Sequence, residues 1–426
     1  MSTTATALTR EVHLGYGRVA TGVLLVLGLS TGPYVALSRW VAKVPLTLDT
    51  WPYVASFWVV AALGTCWFLV DVVPFLGERS PHRWVLASQL AAPALLAVWA
   101  FCSMAWTDSP ERTNQQVPLV VLVVLAAVWF GWALSFRQQV LALLVGLHLL
   151  TVSSALLAVA LPTARFEDDD TWMGLFGNPN SLSPVAGLAL VAVGGAWFLT
   201  DRAEVRAGLA VAGVIDMLCV VMSSSATGWL ALGAAAATAI VVLAARAAAS
   251  RGTSLHAVRA AVVAVVGIAV VSVPWSFGAV TELFGKDSSL TGRTVIWDYV
   301  REVAADRPVT GYGFLSFWDD PVRRAELGTR RQWTFVPDAS HSTFLETLLY
   351  LGAVGLVLVL VTVVTSVGRT WWRALSERGA AGPWWVAVTS FVLVENMTES
   401  MIAYHSIFWA LLVAAGFAAI SPRRAL

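Results

Sequence analysis

The stretch DASHSTFLETLLYLGAVG, Asp338 to Gly355, sets a histidine and a glutamate directly in front of a long apolar run. Imidazole is the side chain best suited to exchange a proton near neutral pH, which makes His341 a candidate general base. A lone histidine at such a boundary also has a structural reading. Thr343 and Glu346 have the S/T-x-x-E spacing of a capping box, which starts a helix without doing chemistry. Glu346 therefore stands both as a cap and as a substrate-binding candidate.

Four other stretches carry groups suited to anions or sugars. SLTGRTVIWDYVREVA opens with the helix-start residues Thr291 and Gly292, then places Ile296, Val300 and Val303 on one helical face. The spacing predicts an amphipathic helix lying along the membrane interface. Arg293 falls in its first turn, where the helix dipole disfavours a cation unless an anion joins it, so this is a candidate phosphate ligand. The plain reading is an exposed arginine. Arg323, Arg324, Arg330 and Arg331 crowd together in RRAELGTRRQW; four guanidiniums neutralise a diphosphate without a metal, and they equally suit a solvated face or lipid headgroups. In RPVTGYGFLSFW, a turn with paired glycines brings Tyr312 and its aromatic neighbours where they either pack on sugar rings or anchor at the interface. In GLFGNPNSLSP, Asn178 and Asn180 flank Pro179; their amides suit hydroxyl groups, and a turn with an N-cap explains them as well. The acidic run Glu167 to Asp170 suits either a cation or water.

The elements that must position these groups are membrane helices. The chain has 426 residues, 58% hydrophobic and 12% charged, with a mean hydropathy of +0.73. That is more apolar side chain than a soluble core buries. The expected class is an all-α polytopic integral membrane protein, since a helix satisfies its own backbone in lipid. Twelve spans are predicted, near 18–38, 53–76, 84–106, 117–136, 138–161, 181–200, 205–223, 226–246, 257–280, 342–367, 383–400 and 402–420. No cleavable signal pattern precedes the first. With a cytoplasmic N-terminus, the inside segments hold fifteen arginines, whereas the short outside loops hold only Arg39, Lys43, Arg112 and Arg165. That bias puts both termini in the cytoplasm. The long segment between spans nine and ten then faces outward, and its tryptophans and tyrosines predict a folded helical cap rather than a disordered loop. Net charge of +1 implies no nucleic-acid partner. Cys66, Cys102 and Cys219 have neither disulfide nor metal-ligand spacing and read as packing residues. Asp216, His148, Glu395 and Glu399 are costly in lipid and should face an interior; Glu395 and Glu399 share a helix face.

Taken in order, GNPN (Gly177 to Asn180), TGR..IW (Thr291 to Trp297), P..GYGF (Pro308 to Phe314) and H..FLE....LGAVGL (His341 to Leu356) resemble the O-antigen ligase and Wzy-type polymerase superfamily of bacterial envelope glycosyltransferases. Spans six to twelve carry the resemblance. It implies a GT-C-like fold, a polyprenyl-diphosphate-linked glycan donor, a glycan or lipid acceptor, and inverting transfer that needs neither metal nor cofactor. It further implies a base at His341 and diphosphate binding at Arg293. The chain departs from the family pattern in two places: His341 is followed by Ser342 where many members have asparagine, and the family's basic residue near Ala226 is missing. One of Arg323, Arg324, Arg330 and Arg331 is the expected substitute.

The expected organisation is an N-terminal transmembrane bundle at 1–180 and a ligase-like membrane domain at 181–426, with the cap at 281–340. The site should face outward from a bacterial plasma membrane. The alternative is a transporter or flippase of a lipid-linked glycan or another envelope precursor, which would gather its ionisable groups near the midplane.

Overall fold

The computed structural model describes residues 2–30, 32–36, 51–77, 82–166, 170–254, 256–257, 259–260, 293–330, 337–399 and 406–421. Among these the regular structure is helical, and the β pairing is confined to an isolated bridge between Arg165 and Trp172. The long helices of the first half are α1 (Ser2–Leu29), α2 (Trp51–Asp71), α3 (His82–Cys102), α4 (Pro110–Ala133) and α5 (Phe136–Ala160). They are followed by α6 (Pro179–Trp197), α7 (Ala203–Met222) and α8 (Ala226–Ser250). Two shorter amphipathic helices, α9 (Arg293–Ala304) and α10 (Pro321–Arg330), precede α11 (Thr343–Ser376), α12 (Ala381–Thr398) and α13 (Ile407–Ile420). Among the described residues, seven helices are long and apolar enough to cross a membrane: α3 to α8 and α11. The chain is a polytopic all-α membrane protein. The span expected at 257–280 lies outside the described residues, apart from a few positions at its start.

Local chemistry sets the helix starts. Ser135 accepts from the backbone N–H of Gln138 while the Gln138 side chain accepts from the Ser135 backbone, a reciprocal cap that opens α5. Asn178 opens α6 by accepting from Asn180 N at 2.8 Å, and Ser406 caps α13 in the same way through Trp409 N. Helix α13 is apolar all round and buried almost throughout, as a helix of that composition must be. It packs against α4, α11 and α12, so one core joins helices from both halves of the chain. Some of the polar groups at depth are paired. Asp71 is 5% exposed and binds the Arg18 guanidinium and Trp129 Nε1, tying α1, α2 and α4 together.

Helix α11 is two helices across a break. Gly352 has φ +64° and ψ −164°, a conformation open to glycine. A break frees backbone groups that must find partners away from water. Segment 308–313 supplies them: Tyr312 N donates to Leu349 O at 3.0 Å, Gly313 N to Tyr350 O at 2.9 Å, and Ala353 N donates to Pro308 O at 2.8 Å. Trp99 Nε1 takes Leu351 O at 2.9 Å. The approach is tight enough to require glycine on the facing strand as well, since a Cβ on Gly311 would fall 2.5 Å from the Tyr350 carbonyl carbon. The glycines of TGYG and LGAVG are thus two sides of one junction.

Candidate functional site

His341 sits just before α11 with φ +53°, a left-handed conformation uncommon for a side chain-bearing residue and a frequent mark of functional positions. Its Nδ1 lies 3.1 Å from Glu399 Oε2, and the ring is about one third exposed. The other Glu399 oxygen accepts from Arg293 Nη2 at 2.6 Å. An ionised carboxylate only accepts, so Nδ1 carries the proton and Nε2 holds the free lone pair. Among the described residues no group bonds Nε2. The sequence brings these three together from the start of α9, the residue before the α11 cap and the end of α12.

Several contacts fix the turn that carries His341. Ser342 is the N-cap position of α11 but makes no side-chain cap, and Thr343 is already helical. The capping box expected of Thr343 and Glu346 does not form, because both side chains are committed elsewhere. Thr343 Oγ1 donates to Asn396 Oδ1 at 2.8 Å and to Glu399 O at 3.2 Å, which docks α11 on the end of α12. Glu346 is fully buried and accepts from Ser340 N, Trp318 Nε1 and Tyr350 Oη. Its carboxylate clamps the residue before His341, a positioning part rather than the substrate contact expected of it. Trp297 Nε1 donates to Ser340 O at 2.9 Å, so α9 holds the same turn from the other side.

The remaining candidates separate into engaged and open groups. Arg323 pairs with Asp108 at 2.7 Å and Asp320 at 3.5 Å, with its guanidinium over the Tyr312 ring. Arg330 pairs with Glu302 and Glu326; that guanidinium holds the Glu302 carboxyl below the usual carboxylate range. Tyr312 is turned inward, its hydroxyl donating to Val303 O at 3.0 Å and its ring against Phe317. Burial pushes its phenol up. These three residues hold α9, α10 and the intervening loop together. Arg324 differs: no carboxylate lies within ion-pair distance among the described residues, and its Nε is buried without a hydrogen bond. Asn178 is exposed and serves as the α6 cap with Asn180, the plainer of its two readings. Arg331 lies outside the described residues, as do Glu167 to Asp169; Asp170 pairs with Arg165 at 3.1 Å.

Two features escaped sequence reasoning. Glu399 was legible as a costly carboxylate, but its partner is 58 positions away and no spacing rule connects them. Asp108, in the α3–α4 connection, pairs with Arg307 and Arg323, and Arg112, in the first turn of α4, pairs with Asp319, so the first half of the chain anchors the α9–α10 segment. Their one signal was charge next to a predicted span. Glu395, one turn before Glu399, has both carboxylate oxygens buried with no hydrogen-bond partner among the described residues.

Residues 211–360 match the family described as O-antigen ligase. The chain is also 27% identical over 353 residues to the exopolysaccharide production protein ExoQ of Rhizobium meliloti (strain 1021), covering 78% of this chain and 76% of that protein. The matched family segment runs from α7 through the break in α11 and so contains His341, Arg293 and the glycine junction.

Proposed function

We propose that this chain, which is similar over residues 211–360 to the O-antigen ligase family and over most of its length to the R. meliloti protein, is a membrane glycosyltransferase that moves a glycan from a polyprenyl-diphosphate carrier to an acceptor hydroxyl. The observation that carries this reading is the His341 ring, held through Nδ1 by Glu399 with Nε2 unengaged among the described residues and Arg293 on the same carboxylate. A sugar hydroxyl is a poor nucleophile and must lose its proton as it attacks. Nε2 takes that proton while the hydroxyl oxygen bonds to the anomeric carbon from the face opposite the carrier, giving inversion. The carbon–oxygen bond to the diphosphate breaks with its electron pair leaving on the diphosphate. Glu399 answers the imidazolium charge, as an orienting carboxylate does in hydrolytic triads.

The diphosphate needs charge stabilisation at departure rather than a proton. Arg293 has N–H donors left beyond the one on Glu399, and Arg324 has a guanidinium with no acid beside it. Arg324 takes the place of the basic residue missing near Ala226, and no metal is required. The description of the R. meliloti relative supports a polysaccharide product and thus a sugar hydroxyl as acceptor. The site lies on the outer face of a bacterial plasma membrane, where a lipid-borne donor and a water-borne hydroxyl meet.

Purified protein in proteoliposomes, given a polyprenyl-diphosphate-linked oligosaccharide, should form a new glycosidic bond of inverted configuration. His341→Ala should abolish it while the protein keeps its thermal unfolding midpoint. Undiminished transfer by that variant would remove the base assignment. A second reading, a carrier of lipid-linked glycans, draws on the buried ionisable groups His148, Asp216 and Glu395. It requires that the donor cross the bilayer unaltered in the same vesicles, with no new bond formed.

A further inference from the structure

The end of α11 remote from His341 is built differently. A cavity of about 260 Å³ opens there, lined by Gln139, Arg246, Arg373, Glu377 and Arg378 among others. A second, apolar groove of about 540 Å³ runs between α6, α8 and α12, and Arg246, Gly379 and Ala380 line both. One polar chamber and one apolar channel therefore meet at a single guanidinium.

Charge and shape in these two spaces are complementary to one kind of molecule. Three guanidiniums face one carboxylate in the polar cavity. Arg373 pairs with Glu377 at 2.7 Å. Arg246 is held in place by the carbonyls of Ala374 and Gly379, both at 2.6 Å, with no carboxylate on it among the described residues. Arg378 is exposed and likewise unpaired with any acid there. The surplus is positive. The groove wall on α8 is made by Leu232, Ala235, Ala236, Ala239, Leu243 and Arg246, one helical face on which small residues leave the space open. From Leu232 to Arg246 that face extends ~21 Å at 1.5 Å per residue, more than the depth of one leaflet of a ~30 Å hydrocarbon core. An aromatic girdle marks the headgroup level at this end. Trp372 is 62% exposed and lies under the Arg259 guanidinium at 3.9 Å, and Arg206 stacks on Trp197.

We infer that this end is a binding site for an anionic phospholipid, with its phosphate in the polar cavity between Arg246 and Arg378 and one acyl chain along the α6–α8–α12 groove. The lipid lies against α6, α8 and α12 and neutralises the surplus of guanidiniums in the cavity. It is independent of the transfer chemistry, since its residues share nothing with His341, Glu399 or Arg293.

The test uses the full chain in detergent, stripped of lipid and then offered dioleoylphosphatidylglycerol, dioleoylphosphatidylcholine or inorganic phosphate. Retained lipid is read by native mass spectrometry and the unfolding midpoint by intrinsic fluorescence. Phosphatidylglycerol should be retained through detergent exchange and raise the midpoint by several degrees, with phosphatidylcholine and phosphate doing neither. Arg378→Gln, which breaks no side-chain hydrogen bond or ion pair among the described residues, and Ala236→Phe, which fills the groove, should each cut retention at least about fivefold without lowering the lipid-free midpoint. Equal retention of phosphatidylcholine, an equal shift from phosphate alone, or undiminished phosphatidylglycerol retention by Ala236→Phe would overturn the site.

Discussion

Among the described residues two histidine–carboxylate pairs are found, and they are built to opposite ends. His148 on α5 has Nε2 2.9 Å from Asp216 Oδ2 and Nδ1 2.8 Å from Leu144 O. Thr151 Oγ1 donates to the other Asp216 oxygen at 2.8 Å, and Asp216 is wholly buried. Nδ1 is spent on the helix backbone and Nε2 is buried at ion-pair distance from Asp216 without hydrogen-bond geometry, so neither nitrogen is presented to a substrate. His341 engages Glu399 through one nitrogen only, keeps the other open, and rides on a left-handed turn instead of inside a helix. The residue types are the same in both pairs. What separates a helix fastener from a candidate base is the unspent nitrogen and the backbone that presents it.

Substitutions should pull the two pairs apart. The largest expected effect is on turnover: His341→Ala should lower the transfer rate by about 10³-fold or more, in line with loss of a positioned general base, measured as glycosidic bond formation in proteoliposomes. Glu399→Gln keeps the shape but removes the charge that orients Nδ1–H and meets the imidazolium. A fall of roughly 10²-fold in kcat with KM little changed is expected, with partial recovery in Glu399→Asp. If Glu399→Gln instead raises KM alone, the carboxylate serves the donor rather than the base. His148→Ala should act on stability. It leaves Asp216 buried against Thr151 alone, costing about 3–5 kcal/mol, seen as a lowered unfolding midpoint with transfer per folded molecule within about twofold of the parent. Equal loss of turnover in the His148 and His341 variants would erase the distinction. The smallest effect is expected of Thr151→Ala, which removes one hydrogen bond to Asp216 and should cost about 1 kcal/mol with turnover unchanged.

Hydropathy made the helical class legible, because long uncharged runs have one solution in lipid. The order of the motifs pointed to the family that the residue 211–360 match later supplied. His341 stood out because the capping box did not use it, and Arg293 because a cation in the first turn of a helix is unfavourable without an anion. The partner was invisible: Glu399 reaches the pair through the docking of α12 on the start of α11, a tertiary event held by Thr343 and Asn396. The capping-box reading failed for the same reason. Local spacing offered Thr343 and Glu346 to the helix terminus, and packing claimed both for Asn396, Trp318, Tyr350 and the Ser340 turn. The arginine cluster likewise looked like one group, yet tertiary acids from α9 and the α3–α4 connection engage Arg330 and Arg323 and leave Arg324 over.

The break at Gly352 also governs how the molecule can be made and how it can move. Segment 308–313 is synthesised before the helix it completes, so the plug waits for its socket. Until α11 arrives and bends around it, the backbone groups of both are unsatisfied, and each left bare in hydrocarbon costs several kcal/mol. Once joined, they form a weld rather than a hinge: the backbone bonds at Leu349, Tyr350 and Ala353 are lost together if the loop lifts. An opening of the helices that keeps these bonds therefore leaves the junction of loop and helix unmoved.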